Sequence, residues 1–196
     1  MSSNIRPRPY SVSYIENPTQ EQLKKLADVH TPAVLRTSSG SINKISRNKA
    51  RMAKYTYVID DDDSSKWSHQ TISSDKALDL IMKQEAYIRS KGTLIAIDGY
   101  VGTGGRRVGA SWYYTVEGAN IAGMQQVLAF PSDKEFATEF TVVYTPDFMP
   151  DDMPGKQAII VDMETWTTYI MGPDYFGESK KAMLRMLNQK VYEEGG

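Results

Sequence analysis

Cysteine is absent from the 196 residues, which excludes disulfides, thiolate zinc sites and cysteine nucleophiles. Histidine occurs twice, as His30 and His69. The two are isolated in sequence and lack the spacing of metal ligands, so both read as surface or turn residues. An excess of charge of one sign is also missing. The formal net charge is −1, with acids and bases mixed along the chain, which leaves no electrostatic footprint for nucleic acid or an anionic membrane surface. No apolar run approaches the roughly 20 residues a membrane-spanning helix needs. The opening MSSNIRPRPYSVSYIEN lacks the apolar stretch of a secretory signal. These absences point to a cytoplasmic protein that binds neither nucleic acid nor membrane. What is present suffices for a core: hydrophobic residues make up 40% of the chain, with three Trp and 12 Tyr, a composition that argues against disorder.

The pattern along the chain alternates helices and strands. Residues 19–29 read as a helix, with Thr19 and Gln22 spaced as a capping box and Leu23, Leu26 and Ala27 as its apolar stripe. RTSSGSINKIS follows as loop or irregular strand, and residues 53–59 alternate as a strand does. Residues 74–90 form a second helix with Ala77, Leu78, Ile81, Met82 and Ile88 at helical spacing and Gly92 as its stop. TLIAID, RRVGASWYYT and EFTVVYT read as strands, residues 116–130 as a helix despite Gly118 and Gly123, and AIIVDMETWTTYIM as a hairpin turning near Glu164. A last helix starts near Gly177. Residues 146–155, rich in Pro, Asp and Met, form a loop. The sum is an α/β domain, a mixed sheet flanked by about four helices.

Three tempting motifs fail on chemical grounds. GYVGTGG, residues 99–105, leads into a strand and puts Arg107 where a dinucleotide fingerprint needs its last glycine, so it reads as a tight turn. DDDD, residues 60–63, lacks the glycine and glutamate of an EF-hand loop at the required positions and reads as a solvated turn. Residues 172–179, GPDYFGES, match a phosphate loop except that Glu178 stands where that loop needs its lysine.

Lys180 and Lys181 carry more information. Lys180, Met183, Leu184, Leu187 and Val191 fall at i, i+3, i+4, i+7 and i+11, one helical face, so Lys180 is expected inward or along a cleft edge. Lys181 lies about 100° round from it. Both sit in the first turn, where the helix dipole disfavours a cation by about 0.3–1 kcal/mol. The arrangement is poor for stability. It suits binding an anion, or a neutral amine serving as metal ligand or base. The alternative is that both stems extend to water and bind nothing.

DYFGESKKAML, preceded by a hairpin ending IMG, resembles the Y-x-G-E-x-K-K segment of ATP-type phosphoenolpyruvate carboxykinases. IAIDGYVGTGGRRVGASWYYTVEGANIAGMQQVLAFPS and WSHQTISSDKALDLI resemble two further segments of that family, and the likeness covers residues 46–188. It implies an enzyme that decarboxylates oxaloacetate and phosphorylates the resulting enolate with ATP, using Mg²⁺ and Mn²⁺ and yielding phosphoenolpyruvate and CO₂. It also implies that Tyr175 positions the substrate. Lys181 would ligate the transition metal and touch the transferred phosphoryl group of the nucleotide, and Lys180 would line the same site. The family's T-G-R-S-P-K-D-K motif is replaced here by ISRNKARMAKY. Arg47 is the choice for its substrate-holding arginine, Arg51 the rival, and both exposed beside the strand the third possibility. The family's phosphate loop and metal-binding histidine and aspartate lie downstream of the Lys-Lys helix. Residues 1–196 are therefore expected to be a single substrate-binding N-terminal domain without the C-terminal nucleotide- and metal-binding domain, holding no cofactor alone and inactive alone. The competing expectation is a stand-alone binding or regulatory domain of the same fold.

Overall fold

The structure, a computed structural model, describes residues 8–11, 13–47, 52–62, 67, 70–102 and 107–195. Its strands are β1 (Ser13–Glu16), β2 (Val34–Arg36), β3 (Ile42–Lys44), β4 (Thr56–Ile59), β5 (Gln70–Ile72), β6 (Thr93–Val101), β7 (Val108–Thr115), β8 (Phe130–Pro131), β9 (Phe140–Thr145), β10 (Ala158–Asp162) and β11 (Thr167–Met171). The helices are α1 (Gln20–His30), α2 (Ser74–Lys91), α3 (Ala119–Leu128) and α4 (Gly177–Glu193). One mixed sheet runs β1-β6-β7-β9-β11-β10-β4-β5, with β8 paired to β6, and β2 and β3 form a separate hairpin. The β6–β7, β6–β8 and β10–β11 pairs are antiparallel and the other pairs in the large sheet are parallel.

Alternation along the central strands builds a three-layer domain. Ile95, Ile97, Val142, Tyr144, Ile159 and Val161 face α1, α3 and α4, whereas Leu94, Ala96, Val143, Ala158 and Ile160 face α2. Side chains two apart on a strand share a face, so these apolar runs bury both surfaces, as sheets covered by helices require. Among the described residues no helix is long and apolar enough to cross a membrane.

Both capping signals hold. Thr19 and Gln22 make a reciprocal capping box on α1, and Gly92 closes α2 in the left-handed region. Several expectations need correction. Residues 53–55 are a 3₁₀ turn ahead of β4, and residues 116–118 are another ahead of α3. The Ser/Gly stretch is the loop of the β2–β3 hairpin. On α2, Leu78 and Met82 are exposed, and the buried face is Ala77, Leu80, Ile81, Gln84 and Ile88. Buried Gln84 displaces the stripe because its amide donates to the carbonyls of Val143 and Ile170 and to Thr145. The acidic run is not merely solvated: Asp60 accepts from the Trp67 indole, and Asp61 accepts from the Ser74 backbone N–H at 2.8 Å. Asp63, His69 and most of the turn after Gly102 lie outside the described residues, and His30 is exposed.

The loop after β9 is tied down from α2. Asp147 takes Tyr87, Lys91 and Thr115, and Asp152 takes Lys76 and Lys83. Hydrogen bonds from Lys76 and then Lys83 hold the Asp152 carboxyl down from its usual 3.8 to about 2. A depressed carboxyl pKa contributes stability above its unfolded value, and that contribution is lost as pH falls through the folded one. These pairs are more than a third exposed, so the contribution stays within about 1 kcal/mol and is screened by salt. Asp152→Asn should accordingly shift the acid-unfolding midpoint slightly upward at low salt, and the shift should vanish in concentrated NaCl.

Candidate functional site

β7, β9 and β11 run parallel, so the loops after Thr115, Thr145 and Met171 emerge at one edge of the sheet. Crevices outside the carboxyl ends of parallel strands are where ligands commonly bind in such folds. The segment 172–176 turns the chain from β11 into α4. Gly172 has φ +90°, and a Cβ there would lie 2.6 Å from the Lys156 carbonyl oxygen. Only glycine satisfies both conditions.

Arg47 reaches this edge from the segment after β3. Its guanidinium donates to the Pro146 carbonyl and, at 3.3 Å, to the Gly172 carbonyl, bridging the loops after β9 and β11. Its backbone N–H and Nε both donate to Asp174 Oδ2, at 2.9 and 3.4 Å. Lys44 joins the same oxygen at 3.1 Å, and Ser46 donates to the Asp174 carbonyl. Asp174 is 3% exposed, so a buried carboxylate next to Tyr175 anchors the whole Lys44–Arg47 segment. Arg51 lies outside the described residues.

The start of α4 is equally determined. Glu178 is fully buried and its carboxylate is shared by Lys181 and by Arg185, the latter at 2.9 Å. An acid in the first turn is where the dipole favours it, and here it also supplies the counter-charge that the Lys181 cation needs. The Lys181 ammonium stands 5.4 Å from the centroid of the Tyr175 ring, within cation–π range. That ring folds back over Gly177, where an added Cβ would meet Tyr175 at 2.4–2.8 Å. The Y-x-G-E-x-K-K spacing therefore has a mechanical basis: the glycine admits the ring, the ring faces the second lysine, and the glutamate holds that lysine.

Beneath, the helix start is pinned to the sheet. Ser179 Oγ donates to Gln125 Oε1 at 2.9 Å, which leaves Tyr114 Oη, 2.6 Å away, to act as donor to Ser179. Burial raises the Tyr114 phenol pKa and keeps the group a neutral donor. Tyr144 Oη donates to the Tyr175 carbonyl at 3.0 Å.

One expectation is corrected. The buried face of α4 runs through Ser179, Ala182, Met183 and Met186, while Lys180 and Leu184 are exposed. Small residues permit the helix to approach Tyr114 and Gln125 closely, so Lys180 does not point inward and only its place at the edge remains. The structure thus joins Tyr175 to Lys181, ties Arg47 to the residue before Tyr175, and leaves Lys180 at the solvent side. Asp174, Lys44 and Arg185 were missed from sequence. Arg185 had a usable signal, since Glu178, Lys181 and Arg185 fall at i, i+3 and i+7 on one face.

Among the described residues no three His, Asp or Glu side chains converge as a metal-binding group. Lys181 is engaged with Glu178 as the cation of an ion pair. Gly177→Ala should swing the Tyr175 ring off Lys181. Proton NMR is expected to show the Lys181 side-chain methylene shifts move away from their ring-shifted values while the fold is retained.

A sequence profile of the phosphoenolpyruvate carboxykinase family matches residues 12–196. A Brevibacillus brevis protein named phosphoenolpyruvate carboxykinase (ATP) is 28% identical over 175 residues, which cover 80% of this chain and 32% of the relative. The chain thus spans about a third of that relative's length. By the extent of the profile match, the chain belongs to the ATP-type phosphoenolpyruvate carboxykinase family.

Proposed function

We propose that residues 1–196 form the substrate-binding N-terminal domain of an ATP-dependent phosphoenolpyruvate carboxykinase, a cytoplasmic enzyme of gluconeogenesis converting oxaloacetate and ATP to phosphoenolpyruvate, ADP and CO₂. The observation that carries this reading is the single built unit at the α4 start, in which Asp174 anchors Arg47 beside Tyr175 and Glu178 presents Lys181 against the Tyr175 ring. In it Arg47 and Tyr175 hold the carboxylated substrate. Lys181, once its amine gives up a proton, would offer its one nitrogen to the transition metal and would face the transferred phosphoryl group, and Lys180 would line the outer edge. Catalysis of this kind relies on positioning and fixed electrostatics. ATP, with Mg²⁺ and Mn²⁺, would be held chiefly by a C-terminal nucleotide- and metal-binding domain, because the only sequence here that approaches a phosphate loop has buried Glu178 in place of the lysine.

For Arg47 to clamp a carboxylate, its guanidinium must exchange the Pro146 and Gly172 carbonyls for the substrate. A planar fork can make that bidentate contact and an ammonium cannot. In the full-length enzyme Arg47→Lys should raise the Michaelis constant for oxaloacetate and lower turnover, while Arg51→Lys stays near wild type. The reverse result moves the role to Arg51. Silence at both positions removes the substrate-binding reading.

A further inference from the structure

A cavity of about 740 Å³ opens between α1, α3 and the β2–β3 hairpin. Lys44, Ser46, Asp174 and Tyr175 are among its walls and Arg47, Lys180 and Lys181 are not, so it adjoins the edge described above and extends away from Lys181. Its body is apolar, with Leu23, Ala27, Val127 and Phe176 contributing. Volume and lining fall in the range of small-molecule sites, which pair an apolar body with a few convergent polar groups.

Those polar groups have a definite character. Lys44 spends two of its three N–H donors on Asp174 and the Ile45 carbonyl, leaving one for a ligand. Lys24 lines the same cavity, and the only acidic wall residue among the described residues, Asp174, is already neutralised by Lys44 and Arg47. The electrostatic balance therefore favours an anion.

We infer that this cavity binds a small amphipathic acid: an aromatic or branched apolar body carrying a carboxylate or sulfonate for the lysines. The assignment does not rest on the carboxykinase reading.

The probe is 8-anilinonaphthalene-1-sulfonate, which has an aromatic body and one sulfonate. Titration of residues 1–196 should give saturable one-to-one fluorescence enhancement. Exposed Lys24, changed in Lys24→Glu, alters the charge without touching the core, and should weaken binding about three- to tenfold. Gly123→Leu, at a wall position where an added Cβ makes only ordinary contacts, should abolish binding while near-UV circular dichroism is unchanged. If that variant fails to fold, Lys24→Glu decides. 1-Naphthoic acid should displace the probe and 1-methylnaphthalene should not. Unsaturable binding, equal affinity in the variants, or equal displacement by the neutral compound overturns the proposal. So does sedimentation showing a dimer that Gly123→Leu dissociates, which would give the cavity to a second copy of the chain.

Discussion

Glu178→Ala should destabilise the folded chain by about 3–5 kcal/mol, the loss expected when one member of a buried charge cluster is removed. The Glu178 carboxylate is fully buried, and Arg185, paired with it at 2.9 Å, is itself only 12% exposed. Without the acid, Arg185 keeps its charge with no counter-ion among the described residues, where its Nη1 already lacks a partner. The first turn of α4 would also lose the only acid that its dipole favours. Urea unfolding followed by circular dichroism measures the loss. The cluster as a whole is not a source of stability, since replacing a buried charge group by apolar residues is often neutral. The triple change Glu178→Leu, Lys181→Met, Arg185→Met should therefore recover most of the loss. A single-variant cost below about 1 kcal/mol, the level of an exposed pair, would mean that water reaches the carboxylate and that Lys181 is not held as described.

Lys181→Met in the full-length enzyme should reduce metal-dependent turnover by about 10²–10³, the usual consequence of removing one preorganised electrostatic group from a site. Methionine keeps the apolar stem over the Tyr175 ring, so packing is largely preserved. Arg185 remains to neutralise Glu178, and the unfolding midpoint should fall far less than for Glu178→Ala. The two variants thus separate the proposed roles, Glu178 holding the helix start and Lys181 acting on the reacting groups. Turnover within about twofold of wild type would remove Lys181 from the site, because a preorganised donor is worth far more than that.

The architecture was largely legible because its signals are local. Thr19 with Gln22, Gly92, and the apolar runs of β6, β9 and β10 each specify an element within a few residues. The face of α4 was misread because Leu184 and Leu187 drew the stripe toward themselves, while the real contact is made by Ser179 and Ala182, whose value is closeness rather than hydrophobicity. The α2 stripe failed in the same way at Gln84, a polar residue buried for its hydrogen bonds. At the site, the segment from Tyr175 to Lys181 could be read as a motif. The reason for its glycine could not, since that depends on the Tyr175 ring folding back. Asp174 was out of reach: its partners Lys44 and Arg47 are 130 and 127 residues earlier, and nothing local marks that pairing.

The central claim is that these residues supply the substrate-facing half of a carboxykinase site and lack the half that holds the triphosphate. It is tested most directly by incubating purified residues 1–196 with oxaloacetate, ATP, Mg²⁺ and Mn²⁺ and measuring phosphoenolpyruvate. Phosphoryl transfer depends on groups that cradle the β- and γ-phosphates, and no such loop occurs in the sequence. The account predicts no phosphoenolpyruvate above the protein-free background, under conditions where the full-length enzyme turns over. ATP-dependent formation of phosphoenolpyruvate by residues 1–196 alone would contradict it.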